Sequence, residues 1–375
     1  MPVYLDHAAD GPLHPDAAAA MLPWITERFG NPSGAHQVAR RARAAVDEAR
    51  DAVAAFIGVD PGGVTFTSGG TEADNLAVLG TLRACPGPVV VSAVEHPAVL
   101  EAAAASGQEV RVAPVDAHGR LDVDALSDLL DPDVVLVSVQ LVNHEIGVIQ
   151  PLAAVARRVR RRAPGAVLHT DAVQAGRWMD LAGAAAVADL VTISGHKLGG
   201  PQGSGALARR RRIPMRAVLH GGGQEQELRS GTHNVAAIVG LGEAVRVSAR
   251  DRDRVVSCVA LLRDRLAARL GADLPGLVET AAGAARVPGH LHVRIPGVEN
   301  ESLLVLLDEA GVCASAGAAC ASGAVEPSPV LLAMGVPKEE ALTSLRLTLG
   351  PATTETEVDE AAAAVTAAAA RLRGG

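Results

Sequence analysis

The sequence has few lysines, few aromatic residues and few cysteines. Only two of its 34 lysine and arginine residues are lysines, Lys197 and Lys338. With three Phe, two Trp and one Tyr, a core has to be filled by Ala, Val and Leu. The four cysteines have neither metal-binding spacing nor a dense disulfide framework. We therefore expect no metal site and free thiols in a reducing cytoplasm.

A basic surface and long hydrophobic runs are also missing. The formal net charge is −8, which argues against direct binding of nucleic acid. The N-terminal stretch MPVYLDHAAD has no basic region followed by an apolar one, so we expect no signal peptide. The longest uncharged stretches are alanine-rich and interrupted by glycine or polar residues, so we expect no membrane span. A length of 375 residues predicts roughly two domains.

Short β-branched runs alternate with helical patterns through the middle of the chain. Such near-continuous apolar runs predict an α/β fold, in which a mixed, mostly parallel sheet is covered by helices on both faces. The predicted strands span 88–94, 109–115, 134–142, 166–172, 190–196 and 204–210. From about residue 235 the pattern changes to a long helix and then a smaller α+β unit. We expect a large domain over 13–248 and a small domain formed by 1–12 and 249–375.

Lys197 lies in SGHKLGGPQG (194–203), directly after one of the predicted strands. Unlike an arginine guanidinium, a lysine amine readily forms an imine with an aldehyde. Ligands of parallel sheets bind at the carboxyl ends of strands, where His96, His144 and Asp171 are also predicted to lie. A surface lysine without a function is the alternative, but these neighbours favour a Schiff-base lysine.

The segment TFTSGGTEADNLAV (65–78) predicts a strand, a glycine turn and a helix. Free amides at the helix start and the hydroxyl of Thr71 would form an anion site suited to a phosphate, although any capped helix start looks similar. A nucleotide-binding loop after Lys197 is a rival interpretation. It fits poorly, because GSGALARR (203–210) continues as a strand and not as a helix.

The segment HTDAVQAG (169–176) places Asp171 and Gln174 just past a buried strand. A carboxylate there can bond the ring nitrogen of a pyridine and keep it protonated, which makes the ring an electron sink. A capping role is the alternative for Asp171. His96 could stack on such a ring, and a structural histidine is its alternative. A phosphate site, a carboxylate and a Schiff-base lysine together predict pyridoxal 5′-phosphate as the cofactor.

Ten segments, taken in order, resemble the motifs of group I cysteine desulfurases of the class V aminotransferase family. They are YLDHAA, GNPSGAH, TSGGTEADN, EHPAVL, VNHEIGVIQP, DAVQ, SGHKLGGPQG, GGGQEQELRSGT, ASAGAACASGAVEPS and SLRLTLG. The resemblance covers essentially the whole chain and implies the fold of type I pyridoxal-phosphate transferases. It also implies conversion of L-cysteine to L-alanine, with the sulfur passing to a cysteine persulfide and on to an acceptor protein or small thiol.

The resemblance further implies roles for individual residues. Lys197 would hold the cofactor and move protons at the substrate's α-carbon, and His96 would stack on the ring. Asp171 would pair with the pyridine nitrogen, while Gln174 and His144 would bond the phenolic oxygen. Arg346 would bind the substrate carboxylate. The residues implied for the phosphate are Gly70, Thr71, Ser194, His196 and Thr232, the last reaching the neighbouring site of a homodimer.

Two cysteines compete for the role of nucleophile. Cys313 follows a predicted helix end and starts an apolar segment, which is typical of a buried small side chain. Cys320 lies in AACASGAVEPS, a composition typical of a mobile surface loop. A thiolate that reaches the cofactor and then passes sulfur to an outside acceptor needs such a loop. The family pattern, with EPS a few residues later, implies the same choice, so Cys320 is the predicted nucleophile.

Several positions depart from the family pattern. Asp10 and Gly11 stand where AATTP is typical, and His144 replaces the second asparagine of NNE, so that its charge would tune the cofactor. Pro329 and Pro351 replace larger or charged residues, and the chain ends soon after its last predicted helix. We expect the two prolines to alter partner contacts and loop motion, and the short C-terminal end to disfavour a dedicated role in iron–sulfur assembly.

Two other functions have to be weighed. A transaminase or selenocysteine lyase of the same fold would keep Lys197 and Asp171 but has no need of Cys320 in this context. The C-terminal RLRGG is similar to the tail of ubiquitin-like sulfur carriers, but here it follows an alanine-rich helix and is better interpreted as a frayed terminus. The sequence leaves open whether the sulfur goes to iron–sulfur clusters, tRNA, DNA or a metabolite.

Overall fold

The computed structural model of the chain describes residues 2–317 and 326–374. Its strands are β1 (Val3–Tyr4), β2 (Val64–Thr67), β3 (Val89–Ser92), β4 (Val110–Ala113), β5 (Leu136–Ser138), β6 (Val167–Asp171), β7 (Leu190–Ser194), β8 (Gly205–Arg209), β9 (Val278–Glu279), β10 (His290–Arg294), β11 (Val312–Cys313) and β12 (Ser344–Thr348). Its helices are α1 (Pro15–Thr26), α2 (Gln37–Ile57), α3 (Gly70–Ala84), α4 (Pro97–Ala105), α5 (Val123–Asp128), α6 (Leu152–Arg162), α7 (Leu181–Ala184), α8 (Val235–Asp273), α9 (Asn300–Glu309), α10 (Pro329–Ala333), α11 (Lys338–Ala341) and α12 (Glu355–Gly374).

The large sheet has the strand order β2-β8-β7-β6-β5-β3-β4. Its strands run parallel except β8, which is antiparallel to both of its neighbours, β7 and β2. Strands β2, β3, β5, β6 and β7 are buried along their whole length, as expected for a sheet with helices on both faces. The predicted α/β fold with a mixed, mostly parallel sheet is confirmed.

The strands are shorter than the apolar runs that predicted them, most clearly after β5. The apolar run reaches residue 142, while β5 ends four residues earlier. Beyond that end, the amides of Val139 and Leu141 still donate to carbonyls of β6. The side chain of Asn143 then accepts hydrogen bonds from the amides of Glu145 (2.9 Å) and Ile146 (2.8 Å), and this local bonding turns the chain where the apolar run ends.

The N-terminal segment joins the C-terminal third of the chain. Strand β1 pairs in parallel with β11, with Val3 opposite Val312, and a bridge joins Asp6 to Thr348. Strand β10 lies between β12 and β9 in an antiparallel sheet. Helix α12 packs on α8 and α9. These contacts agree with a smaller α+β unit completed by the N-terminus, and the domain boundaries themselves stay a prediction.

Small residues let the two longest helices of the core approach closely. Helix α2 ends at Gly58, whose φ of 76° lies in the left-handed region that favours glycine. A Cβ added at Gly242 of α8 would lie 2.8 Å from the Cβ of Ala49 in α2. Elsewhere the core is mostly Val, Leu and Ala, as the shortage of aromatic residues requires.

Within residues 2–317 and 326–374, no helix is long and apolar enough to cross a membrane.

Candidate active site

Strand ends of the large sheet converge on one cavity of about 420 Å³. Strand β7 ends at Ser194, and β2, which lies on the other side of β8, leads through Ser68 and Gly69 into helix α3. Because these strands point in the same direction, the residues after them lie at the same edge of the sheet. The cavity lining includes Asp10, Gly70, Thr71, Ser194, His196 and Gln202.

One wall of the cavity is the start of helix α3. Gly69 caps the helix without a side-chain bond, so its first amides remain available to an anion. A Cβ added at Gly70 would lie 2.9 Å from the Val173 side chain and 3.5 Å from Ser194, so a larger residue would crowd this wall. The carboxylate of Glu72 does not occupy these helix amides, because it accepts hydrogen bonds from the Ser68 amide (2.7 Å) and from Arg229 (2.8 Å). The wall can therefore hold a phosphate.

The opposite wall carries an unexpected carboxylate, that of Asp10. Its Oδ1 lies 3.1 Å from Nδ1 of His196 and accepts a bond from the Gly11 amide (2.9 Å), and its Oδ2 accepts from Gln202. Burial lowers the pKa of His196, with Lys197 adding to the effect and Asp10 opposing it. The departure at position 10 therefore places an acid directly against a residue predicted to bind phosphate.

Lys197 lies in a 3₁₀ turn (Gly195–Leu198) that follows β7. Its amine donates to the backbone carbonyls of Ala8 and Ala9 in the N-terminal segment. Burial lowers the pKa of Lys197 to about 8, and the positive charge of Arg346 contributes. A larger fraction of this amine is neutral at physiological pH than in an exposed lysine, which suits it to react with an aldehyde.

Asp171 ends strand β6 and accepts a 2.8 Å hydrogen bond from the amide of Val173. Burial raises its pKa, while His96, the Val173 amide and Lys197 oppose the rise. Two further buried acids lie close by. Burial and the Asp171 charge raise the pKa of Asp74, and burial raises the pKa of Glu95 to about 8. Of the three acids, Asp171 is the one whose rise in pKa is opposed by nearby basic side chains, His96 and Lys197.

His96 and His144 lie against each other, with ring centroids 5.1 Å apart at an interplanar angle of 76°. Nδ1 of His96 accepts the amide of Ala98 at the start of α4, so the proton of the neutral ring lies on Nε2. Burial, helped by His96, lowers the pKa of His144 to about 3. Burial therefore disfavours the charge on His144 that was expected to tune the cofactor, and its effect on the cofactor stays a prediction.

Arg346 lies on β12 and is buried. It donates to Asp6 (2.8 Å) and to the carbonyl of His144 (3.1 Å). Gln174 donates to the carbonyl of Ala8 (2.8 Å), which ties it to the same N-terminal segment that Lys197 contacts. The N-terminal segment thus joins the predicted substrate and cofactor residues, although their individual roles stay predictions.

Of the predicted residues that the structure describes, only the four around the phosphate wall, Gly70, Thr71, Ser194 and His196, line this cavity. Lys197 and Gln174 line a second, smaller pocket. Thr232 is exposed and is absent from the lining within the single chain. Cys320 lies outside the described residues, as do its immediate neighbours. Cys313 pairs with Tyr4 between β11 and β1 and is partly exposed, so the description of it as buried is wrong.

Sequence reasoning missed the partners of the predicted residues. Asp6 accepts a hydrogen bond from Arg346. Asp10 accepts one from Gln202 and is also hydrogen-bonded to His196. The signal was present in YLDHAAD, which places two carboxylates four residues apart inside a matched motif. Their partners lie almost two hundred or more residues away, so no local pattern identifies them.

The comparisons with known proteins agree with this geometry. The Aminotransferase class-V family model matches residues 3–361. The chain is 42% identical over 364 residues to a cysteine desulfurase of Cereibacter sphaeroides (95% of this chain, 93% of the relative) and 38% identical over 376 residues to that of a Nostoc species (99% and 94%). It is 41% identical over 382 residues to the cysteine desulfurase IscS of Methylococcus capsulatus (100% and 94%).

Solved structures resemble the chain over nearly its whole length. A NifS-like protein superposes with a TM-score of 0.92 at 31% identity, covering 98% of this chain and 99% of its own. DndA from Streptomyces lividans superposes with a TM-score of 0.78 at 36% identity, covering 92% and 99%. Family match, relatives and fold agree, and the chain belongs to the aminotransferase class-V family.

Proposed function

We propose that the protein is a pyridoxal-phosphate-dependent cysteine desulfurase. It converts L-cysteine to L-alanine and transfers the sulfane sulfur through a persulfide on Cys320 to an acceptor. One observation carries the proposal: Lys197, Asp171 and an anion cradle at the start of α3 lie at one edge of a single sheet. Relatives that carry the printed name cysteine desulfurase are 38–42% identical over almost the whole chain.

The residues at this edge fit pyridoxal 5′-phosphate. A Cβ at Gly70 would crowd this wall against Val173, and Thr71, Ser194 and His196 would supply polar groups around a phosphate. Asp171 would pair with the protonated pyridine nitrogen. When bound, the cofactor supplies an electron sink for cleavage at the substrate's α- and β-carbons.

Residues of the chain orient the cofactor and move the proton. Lys197 would hold the cofactor through its aldehyde and, once freed by the substrate amine, would take the proton from the substrate's α-carbon and later return it. Its lowered pKa of about 8 makes the neutral amine available as this base. The His96 ring would stack on the cofactor, and Gln174 and His144 would bond its phenolic oxygen. Arg346 binds the substrate carboxylate, displacing the bond to Asp6.

Cys320 carries the sulfur. Its thiolate attacks the sulfur of the bound cysteine, an S–S bond forms, and the C–S bond breaks. The electron pair of the broken bond goes to the β-carbon, which takes up a proton, so that L-alanine leaves and Cys320 holds a persulfide. A thiol of an acceptor protein or of a small molecule then takes the sulfane sulfur.

The assembly and the setting belong to the same proposal. The protein forms a homodimer, in which Thr232 reaches the phosphate of the neighbouring site. The exposure of Thr232 in the single chain supports this arrangement. The enzyme acts in the cytoplasm, where thiols stay reduced.

The experiment starts with the absorbance spectrum of the purified protein. L-cysteine and dithiothreitol are then added, and sulfide and alanine are measured. We expect a yellow protein that makes the two products in equal amounts. A yellow protein that makes neither moves the function to another amino acid, and a protein that stays colourless with added pyridoxal phosphate contradicts the proposal.

A second experiment, with two cysteine variants, separates cofactor chemistry from sulfur transfer. Cys320→Ser is expected to keep the cofactor colour and to lose sulfide release, while Cys313→Ser keeps both. Retention of full activity by Cys320→Ser would favour a different lyase of the same fold. The comparison is chosen because the two cysteines lie only seven positions apart.

A further inference from the structure

Both flanks of the segment 318–325 meet one buried carboxylate, that of Glu145. On the C-terminal flank, the hydroxyl of Ser328 donates to Oε2 of Glu145 at 2.8 Å, and both residues are buried. On the N-terminal flank, a Cβ added at Gly317 would lie 2.6 Å from Cδ of Glu145. The φ of Gly317 is 101°, a conformation that other residues rarely adopt. Glu145 therefore contacts the chain directly before and shortly after the segment that carries Cys320.

Glu145 is itself held in place. Its amide donates to the side chain of Asn143 (2.9 Å), which in turn donates to the carbonyl of Val94 (3.2 Å). Its second oxygen, Oε1, faces Nε2 of His292 across 3.5 Å, and among the described residues neither atom has a hydrogen-bond partner. Nδ1 of His292 is bonded to Thr280 (2.9 Å). The backbone of Glu145 is thus held by Asn143, and its carboxylate by the hydrogen bond from Ser328.

The same carboxylate adjoins the substrate end of the candidate active site. Glu145 follows His144, whose ring contacts that of His96. Arg346 donates to the carbonyl of His144 (3.1 Å) and, at 3.5 Å, to the carbonyl of Gly317. The start of the Cys320 segment is therefore bonded by the residue that we propose to bind the substrate carboxylate.

A purely structural role for these contacts would be the cap of helix α10. Ser328 does cap this helix, accepting the amide of Leu331 at 3.1 Å. A cap alone accounts for Ser328 but not for Gly317, which lies outside the helix and touches the same carboxylate. Gly317 and Ser328 both contact Glu145, and what they share is their place on either side of the segment 318–325.

We propose that Glu145 is a positioning residue for sulfur transfer. It holds Gly317 and Ser328, which lie before and after the segment 318–325, and through them it acts on the reaction of Cys320 with the bound substrate. Its contribution falls on the persulfide step and not on binding of the cofactor or of L-cysteine. This inference rests on the proposed function, because it takes Cys320 as the nucleophile.

Three variants test the clamp that Glu145 forms with Ser328 and Gly317. Ser328→Ala removes the donor and leaves a buried carboxylate oxygen unsatisfied, whereas Ser328→Thr keeps the hydroxyl. Glu145→Gln keeps the size of the side chain and removes its charge. Ser302→Ala is the matched control, since Ser302 also donates to a glutamate, Glu299 (2.6 Å), but on an exposed part of the chain.

Two readouts separate positioning from folding. The first is a single turnover, in which the absorbance change on adding L-cysteine is compared with persulfide on Cys320 measured by mass spectrometry. We expect Ser328→Ala and Glu145→Gln to keep the amplitude and concentration dependence of the absorbance change. The rate of persulfide formation should fall by at least about ten-fold, because that factor corresponds to the free energy of one hydrogen bond to a charged group. Ser328→Thr should restore the wild-type rate.

The second readout needs no cofactor. In the cofactor-free protein, the rate of Cys320 alkylation by iodoacetamide should change in Ser328→Ala and Glu145→Gln but not in Ser302→Ala. Unchanged persulfide and alkylation rates in both variants would overturn the proposal. A parallel loss of cofactor binding, L-cysteine binding and persulfide would also overturn it, because that pattern indicates general damage to the fold.

The Cys320→Ser variant keeps the two proposals distinguishable. If it still forms alanine and releases sulfur at the normal rate, the proposed function fails and Glu145 has no nucleophile to position. If Cys320→Ser is inactive and the clamp variants are fully active, the proposed function stands and only the positioning role is overturned.

Discussion

The cofactor end and the substrate end of the active site are built differently. At the cofactor end, Asp171, Ser194 and Lys197 follow neighbouring strands of one sheet, and hydrogen bonds of the ladder hold those strands in register. At the substrate end, Arg346 binds Asp6 across 340 positions, and Ser328 binds Glu145 across 183. The first end depends on local sequence and sheet register, the second on single side-chain bonds between distant segments.

This difference predicts different responses to mutation. A change at the cofactor end removes a chemical group from a rigid frame, so the reaction itself is lost. A change at the substrate end loosens the contact between two parts of the chain. Substrate binding at Arg346, or sulfur transfer at Glu145, therefore suffers before the cofactor does.

Replacing Lys197 should give the largest loss. Lys197→Ala removes both the attachment point of the cofactor and the base, so alanine formation should fall by at least about 10⁴-fold. Absorbance and alanine assays measure the two losses. Lys338→Ala is the matched control, because it removes the other lysine of the chain from an exposed position. If Lys197→Ala remained active, Lys197 would be neither the attachment point of the cofactor nor the base.

Replacing Arg346 should affect substrate binding more than cofactor binding. Arg346→Lys keeps the charge but loses the planar fork that bonds Asp6 and the His144 carbonyl. We expect kcat/KM for L-cysteine to fall by about 10- to 100-fold, mainly through KM, with the cofactor retained. Steady-state kinetics and the protein's spectrum measure both. A variant that loses the cofactor instead would contradict the separation of the two ends.

The reaction of the cofactor-free protein with pyridoxal phosphate should report the pKa of Lys197. Its folded-state pKa of about 8 lies below the ordinary 10.5, so the neutral amine appears as pH rises through 8. The reconstitution rate should therefore increase about ten-fold between pH 7 and pH 9. Because Arg346 contributes to the lowering, Arg346→Gln should move the profile to higher pH. A wild-type rate that rises only above pH 10 would argue against the lowered pKa.

Crowding the phosphate wall should give the smallest effect. Gly70→Ala puts a Cβ 2.9 Å from Val173, and overpacking of about 1 kcal/mol corresponds to roughly five-fold weaker binding of pyridoxal phosphate. Titration of the cofactor-free protein measures it. Gly271→Ala, in helix α8 with nothing within 4 Å, is the control and should leave binding unchanged. Equal affinities in all three proteins would mean that the phosphate lies elsewhere.

The sequence by itself was sufficient for the sheet and for the cofactor end. Apolar runs, glycine turns and the residues that follow each strand are local, and parallel strands necessarily bring their carboxyl ends to one edge. The positions of Asp171 and Lys197 at strand ends could be predicted for this reason, whereas Gly70 and Ser194 came from the resemblance to the family. The turn after β5 could not be predicted, because it is set by side-chain bonds such as those of Asn143.

Only the tertiary structure decided the electrostatics and the substrate end. Whether His144 is charged depends on its burial, which no spacing in VNHEIG reveals. The pairing of Asp10 with His196, of Asp6 with Arg346 and of Glu145 with both Gly317 and Ser328 depends on where distant segments meet. Side-chain bonds between distant segments leave no periodicity in the sequence, because each partner is set by packing rather than by its neighbours along the chain.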